Sequence, residues 1–129
     1  MAKMLADFVR EARARIHEIS IEEFDEMIEN HDDVLVVDVR EAEEFRRGHI
    51  PGALLVPRGI LEGAADTGSP MRVDKLCGAH NSTIIVCSRN NTRSALAADT
   101  LQQMGFQKVY LLVDGIDRWE AQGLALVRD

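Results

Sequence analysis

One cysteine lies in a segment whose neighbours favour an ionised sulfur. The segment reads Cys87-Ser88-Arg89-Asn90-Asn91-Thr92-Arg93, after a run of β-branched apolar residues and before an alanine-rich stretch typical of a helix. This order predicts a strand, a polar loop and a helix whose N-terminus directs free N–H groups and its positive dipole end at the loop. No acid lies between Lys75 and Ala98. We therefore expect Cys87 to have a lowered pKa and to act as a nucleophile on an anionic substrate.

The loop after Cys87 is predicted to bind that substrate, because successive backbone N–H groups of a tight loop can converge on an anion. The candidate substrate-binding residues are Ser88, Arg89, Asn90, Asn91, Thr92 and Arg93. The loop has no glycine, so Asn90 and Asn91 are expected to supply the positive φ that its curvature needs. Thr92 or Asn91 is expected to cap the helix. The alternative is that Cys87 is a small buried hydrophobic residue at a strand end.

Strands and helices on either side must position this loop. Apolar runs that alternate with helical patterns predict that these elements form the parallel sheet of an α/β protein. The predicted strands cover residues 34–39, 53–56, 83–86 and 109–113, and the predicted helices cover 5–16, 21–28, 41–47, 95–104 and a last segment that contains Trp119. Residues 63–70 are predicted to form a mobile polar loop. Ligands of parallel sheets bind at the carboxyl ends of the strands, where Cys87 would lie.

Composition limits the function classes. The 129 residues fit one domain, and the net charge of −7 argues against nucleic acid as the main partner. No apolar run is long enough to span a membrane. The two cysteines are too few for a disulfide scaffold, and Cys77 with His80 offers too few ligands for a metal, so no cofactor is expected. The charged N-terminal segment has no signal-peptide pattern, which favours a cytoplasmic location.

Four motifs carry a resemblance to a known family. They are Asp38-Val39-Arg40-Glu41, Gly48-His49-Ile50-Pro51-Gly52-Ala53, Cys-x5-Arg-Ser-Ala-x-Ala-Ala from Cys87, and Asp114-Gly115 followed by Trp119. In this order and spacing the sequence resembles a single-domain rhodanese, a sulfurtransferase. The resemblance implies a five-stranded parallel sheet flanked by helices on both faces, formed by residues 16–129. Apolar residues at helical spacing predict that residues 1–15 form an N-terminal amphipathic helix packed on that domain, with a partner-binding helix as the alternative.

The resemblance also implies a reaction. Cys87 would attack the outer sulfur of a small anionic donor such as thiosulfate, or of a persulfide, and sulfite or a thiol would leave. The sulfur would then pass from Cys87 to a thiol, a sulfur-carrier protein or cyanide. Cys77 is interpreted as a packing cysteine, with a resolving disulfide to Cys87 as the alternative.

The loop departs from the family pattern, because five residues separate Cys87 from Arg93 where sulfurtransferases usually have four. A longer Cys-x5-Arg loop resembles the phosphatases and arsenate reductases of the same fold. Another alignment closes the loop at Thr92. Against a phosphatase, Val86 stands where those enzymes have His, and Asp38 is the only distant acid available. A non-catalytic interaction module is the third alternative.

Three further residues near these motifs receive structural interpretations. Arg40 and Glu44 are expected to pair across one helical turn. His49 is interpreted as a turn residue at the sheet edge. Trp119 is expected to bury its indole against the sheet.

Overall fold

The computed structural model describes residues 1–30 and 33–128. Within them the helices are α1 (Leu5–Arg15), α2 (Ile21–Glu29), α3 (Ala42–Arg47), α4 (Leu61–Ala65), α5 (Asp74–Cys77), α6 (Thr92–Gln103) and α7 (Gly115–Ala121). The strands are β1 (His17–Ile19), β2 (Val34–Asp38), β3 (Leu54–Leu55), β4 (Thr83–Cys87) and β5 (Lys108–Leu112). A 3-10 turn at Arg58–Ile60 precedes α4. None of the described helices has the length and apolar character needed to cross a bilayer.

The five strands form one parallel sheet in the order β1-β5-β4-β2-β3. This confirms the predicted α/β class and the five-stranded parallel sheet. β4 is the central strand, and its β-branched residues pair with β2 on one side and β5 on the other. Cys87, the last residue of β4, lies opposite Asp38, the last residue of β2. The carboxyl ends of the two strands therefore meet at one edge of the sheet.

Helices cover both faces of the sheet, as the resemblance implied, because β2 and β4 bury side chains on each face. One cluster joins Ile84 and Val86 to the apolar faces of α1, α4, α5 and α6. The other joins Ile85 and Cys87 to α2 and α7. Alternation along β4 thus decides which layer receives the Cys87 side chain.

The structure differs from the sequence prediction at three elements. β1 was not predicted, because a three-residue strand with two exposed positions has no clear apolar pattern. Residues 63–65 belong to helix α4, so the predicted loop over 63–70 is wrong at its start. α6 begins at Thr92, three residues before the predicted start at 95. The early start brings the N-terminus of α6 directly to the end of the Cys87 loop.

Candidate functional site

Cys87 lies at the predicted place, the carboxyl end of the central strand, but its side chain is fully buried. The sulfur belongs to the apolar cluster that contains Ile85 and Leu112. Burial raises the pKa of the Cys87 thiol well above its usual range; the nearby charge of Asp38 raises it further, and Arg40 opposes that change. The predicted lowering of this pKa is therefore wrong. The prediction considered the charge of the loop, whereas strand alternation turns the sulfur into the protein interior.

The loop after Cys87 uses one of its predicted anion-binding amides, that of Thr92, and the amide of the following Ser94 for internal hydrogen bonds. The backbone N–H of Ser94 donates to Oγ of Ser88 at 3.1 Å, and the N–H of Thr92 donates to Oδ1 of Asn90 at 3.0 Å. The Ser88 hydroxyl, which is fully buried, also donates to Oγ of Ser94. Asn90 therefore satisfies the first amide of α6, and the predicted side-chain cap from Asn91 or Thr92 is wrong.

The outer side of the loop is held by the start of α7. The carbonyl oxygens of Ser88 and Arg89 accept hydrogen bonds from the N–H groups of Ile116 and Asp117, each at 2.9 Å. Gly115 makes this contact possible, because a Cβ at this position would overlap the Ser88 carbonyl oxygen. Its φ of +50° is also in the left-handed region that glycine adopts without strain. The loop and the N-terminus of α7 thus form one hydrogen-bonded unit.

Asn91 and Asp114 fasten the same two segments through side chains. Nδ2 of Asn91 donates to Oδ1 of Asp114 at 2.9 Å, and the N–H of Asp114 donates to Oδ1 of Asn91 at 2.7 Å. Asp114 is the non-glycine residue with positive φ in the described chain, at 62°. The predicted positive φ at Asn90 and Asn91 is therefore wrong. The left-handed residue is instead Asp114, in the segment before α7 that packs against the loop.

Arg93, the residue that closes the loop, is occupied by a carboxylate from α3. Nη1 and Nη2 of Arg93 donate to the two carboxylate oxygens of Glu44 at 2.7 and 3.0 Å. These hydrogen bonds are the main reason why the pKa of Glu44 falls to about 2, so Glu44 is ionised at any neutral pH. The expected pair between Arg40 and Glu44 is wrong. Glu44 reaches across to α6 because α3 follows β2, the neighbour of β4 in the sheet.

Arg40 and Arg89 are also paired with acids. Arg40 is buried and donates to both oxygens of Asp38 and to the Gly48 carbonyl. Asp38, the one distant acid that the sequence offers to a phosphatase, is thereby held in a structural ion pair. Arg89 lies near Asp117 at 3.5 Å, and both side chains are more than half exposed. The uncancelled positive charge that the sequence predicted is absent here, because the partner acids lie elsewhere in the chain.

A pocket of about 210 Å³ opens beside the loop. It is lined by Arg40, Glu44, Arg47, Gly48, Arg89, Ile116, Asp117, Glu120 and Leu126. Ile116 belongs both to this wall and to the buried cluster that contains Cys87. The pocket therefore adjoins the layer that holds the sulfur.

The C-terminal segment supplies one wall of the pocket, a contribution that the sequence analysis missed. His49 and Val127 form an antiparallel bridge through hydrogen bonds of 2.9 and 2.8 Å, and Leu126 lies against Gly48. The indole N–H of Trp119 donates to the Ala125 carbonyl. Trp119 is half-buried and packs on the buried cluster edge-on to Phe24, so the expected burial of its indole is found only in part.

Cys77 is remote from Cys87. It ends α5, before the amino end of β4, and its sulfhydryl donates to the Ala64 carbonyl at 3.3 Å. Cys87 lies at the other end of β4, four strand residues or about 13 Å further along. Its side chain also enters the opposite layer of the protein. A disulfide needs Cα atoms within about 7 Å, so the resolving-disulfide alternative is wrong and Cys77 is a packing residue.

Comparison with known proteins supplies an independent line of evidence. The sequence profile of the rhodanese-like domain matches residues 20–122. A protein of Allochromatium vinosum named sulfurtransferase is 30% identical over 112 residues, which cover 87% of this chain and 95% of that protein. YrkF of Bacillus subtilis, provisionally named a sulfur carrier protein, is 32% identical over 109 residues, which cover 84% of this chain and 54% of YrkF. The chain thus spans about half of YrkF.

Among solved structures, a Rhodopseudomonas palustris protein of unknown function superposes with a TM-score of 0.89 and 27% sequence identity. The match covers 98% of this chain and 96% of that protein, which is described as a possible tyrosine phosphatase. The sequence matches and the structural match agree on the fold. The matched proteins have two different functional descriptions, a sulfurtransferase and a possible tyrosine phosphatase.

Proposed function

The chain belongs to the family of rhodanese-like domains, and we propose that it is a sulfurtransferase that carries sulfur as a persulfide on Cys87. The observation that carries the proposal is the position of Cys87. It ends the central strand β4 and begins the loop that leads to the N-terminus of α6. Nearly full-length similarity to a protein named sulfurtransferase supports the same activity.

The proposed reaction forms one bond and breaks one bond. The Cys87 thiolate attacks the outer sulfur of thiosulfate, the S–S bond of the donor breaks, and sulfite leaves with the electron pair. With a persulfide donor, a thiolate leaves instead. A second thiol then attacks the outer sulfur on Cys87 and restores the free cysteine. Sulfite and thiolates leave without a dedicated general acid.

The buried sulfur requires a local opening before this reaction. The Cys87 side chain has no exposed surface, whereas Arg89 and Asn90 in the same loop are exposed. We expect the donor to enter through the pocket beside Ile116 while residues 88–91 move outward. The thiol, whose pKa is raised by burial, would lose its proton once the opening admits water or an anion.

The loop residues keep their proposed role in substrate binding. In the open state, amides of Ser88, Asn90 and Asn91 would be oriented toward the reacting sulfur. Arg89 and Arg93 would supply positive charge. The acceptor is proposed to be a thiol or a sulfur-carrier protein, as in a reducing compartment such as the cytoplasm.

Phosphatase or arsenate reductase activity is the second candidate. The five-residue loop between Cys87 and Arg93 and the description of the Rhodopseudomonas palustris structure favour it. The residues around the loop favour sulfur transfer instead. Asp38 is committed to Arg40, so it cannot readily protonate an alkoxide leaving group. Sulfur transfer has no need of such an acid.

Intact mass measurement tests the proposal directly. The protein is incubated separately with thiosulfate and with a freshly prepared small persulfide, desalted and weighed. We expect a gain of one sulfur atom that is absent in Cys87→Ser and retained in Cys77→Ser. If neither donor adds sulfur to Cys87, the proposal is overturned. Turnover of an aryl phosphate that depends on Cys87 would then support the second candidate.

A further inference from the structure

The candidate site has no surplus of positive charge. Four arginines lie at the pocket or at the end of the loop, namely Arg40, Arg47, Arg89 and Arg93. Five carboxylates accompany them, namely Asp38, Glu43, Glu44, Asp117 and Glu120. Each arginine lies within 4 Å of a carboxylate oxygen, with Glu43 as the partner of Arg47. A dianion that enters this site therefore meets arginines that are each already close to a carboxylate.

Arg93, at the end of the loop, is already occupied by a carboxylate. Both of its terminal nitrogens bind Glu44, and the two side chains are only 33% and 26% exposed. Glu44 is held from its other side, because its Oε1 accepts the N–H of Glu41 at the start of α3. An oxyanion that needs Arg93 must first displace a preorganised internal carboxylate.

From this geometry we propose that the donor is a persulfide on a cationic or zwitterionic carrier, rather than the thiosulfate dianion, and that Glu44 is the residue that sets this preference. The inference rests on the proposed function and names its substrate class. A persulfide presents its reacting sulfur on a single bond to a thiol sulfur, so it has no sulfonate group that needs Arg93. An ammonium group on the carrier also finds partners in the pocket, where Asp117 and Glu120 are exposed.

The reaction balances without a further reagent. The neutral Cys87 thiol and the persulfide anion RSS⁻ enter together. The proton of Cys87 passes to the inner sulfur of the donor, a bond forms between Sγ and the outer sulfur, and the donor S–S bond breaks. The products are the Cys87 persulfide anion and the free thiol RSH. The total charge stays at −1, and no oxidant or reductant is consumed.

A series of donors with graded charge tests the proposal. In a Cys77→Ser background, sulfur loading of Cys87 is timed by intact mass with the persulfides of cysteamine, cysteine and 3-mercaptopropionate, and with thiosulfate. We expect the rate to fall in that order, with thiosulfate roughly tenfold or more below cysteamine persulfide. Glu44→Gln should raise the rate with thiosulfate relative to the rate with cysteamine persulfide by roughly tenfold.

Glu18→Gln is the matched control. Glu18 binds Arg13 through two hydrogen bonds of 2.8 and 2.7 Å, and its side chain is 30% exposed, close to the value for Glu44. It does not line the pocket. This variant should retain the wild-type order of donors, which separates loss of the Glu44 charge from loss of any bidentate ion pair.

A measurement without sulfur donors tests the charge effect by itself. The rate of Cys87 alkylation by iodoacetate, divided by the rate with iodoacetamide, should rise in Glu44→Gln and stay constant in Glu18→Gln. An unchanged ratio in Glu44→Gln overturns the proposed role of Glu44.

The loading outcomes separate this inference from the proposed function. If the wild type loads from thiosulfate as fast as from cysteamine persulfide, the donor preference is overturned while sulfur transfer stands. If no donor loads Cys87, the proposed function fails and the inference fails with it. The wild-type order of the four donors remains decisive even if Glu44→Gln does not fold.

Discussion

Asn91 and Asp114 bind each other in a reciprocal pair. The side-chain amide of Asn91 donates to Oδ1 of Asp114 at 2.9 Å, and its oxygen accepts the Asp114 N–H at 2.7 Å. Asp114 completes this pair in a left-handed conformation, with φ of 62°, and also accepts a hydrogen bond from Arg118. The contact ties the last loop residue before α6 to the first turn of α7. The geometry of the Cys87 loop therefore depends on a backbone conformation that lies outside the loop.

The left-handed conformation of Asp114 predicts different effects for two substitutions. Asp114→Gly and Asp114→Ala both remove the carboxylate from Asn91 and Arg118, but only alanine retains the steric cost of positive φ. We expect Asp114→Ala to be less stable than Asp114→Gly by about 1 kcal/mol in urea unfolding. Equal stabilities, or a more stable alanine variant, would contradict the assigned conformation.

Gly115 predicts a larger loss of stability. A Cβ at this position would overlap the Ser88 carbonyl oxygen and approach the Asn90 carbonyl at 3.1 Å. We expect Gly115→Ala to lower the free energy of unfolding by about 3 kcal/mol or more, as measured by urea unfolding.

Gly123→Ala is its control, because Gly123 also has positive φ but no atom lies within 4 Å of the added Cβ. That substitution should cost only about 1 kcal/mol, the conformational part of the effect. Similar losses in the two variants would show that the loop does not press on α7 at Gly115.

The sheet and the position of Cys87 were predictable because they depend on local patterns. The β-branched runs of β2 and β4 predicted both strands to within one residue. A polar loop after a buried strand located the cysteine at the sheet edge. Such signals need only the residue type and its near neighbours.

The charges around the site were not predictable in the same way. Glu44 and Arg93 are 49 residues apart, and the acids Glu41, Glu43 and Glu44 look alike in sequence. The contact follows from the strand order, because α3 follows β2, and β2 adjoins β4 in the observed sheet. Acids in the first turn of α3 therefore face the N-terminus of α6. Predicting the raised pKa of Cys87 would have required knowledge of the direction of its side chain. That direction depends on the residue at which β4 ends.

The Glu44–Arg93 pair predicts a loss of stability in acid. The pKa of Glu44 is about 2, below its ordinary value of 4.5, so the carboxylate stabilises the folded state above pH 4.5. This contribution should decline as the pH falls from 4.5 to about 2. Because the pair is partly exposed, we expect Glu44→Gln to lower the free energy of unfolding at pH 7 by about 1–2 kcal/mol.

Urea unfolding at pH 7, 4 and 3 checks this expectation. The difference between the wild type and Glu44→Gln should shrink as the pH falls. A difference that stays constant from pH 7 to 3 would mean that the ionised form of Glu44 contributes no stability.

The burial of Cys87 predicts the opposite pH dependence at the alkaline side. The folded state raises the pKa of its thiol well above the usual range, while the unfolded chain titrates near the reference of about 8.5. Above pH 8.5 or so the unfolded state therefore holds fewer protons, and stability falls as the pH rises. Cys87→Ala lacks this titration. We expect the wild type to lose stability relative to Cys87→Ala between about pH 8 and 10, as measured by urea unfolding, with Cys77→Ser in both proteins to remove the second thiol.

Alkylation of Cys87 by iodoacetamide should still be accelerating at about pH 10. An alkylation rate that reaches its plateau below about pH 8 would instead mean that the sulfur is ionised and accessible without prior opening of the loop.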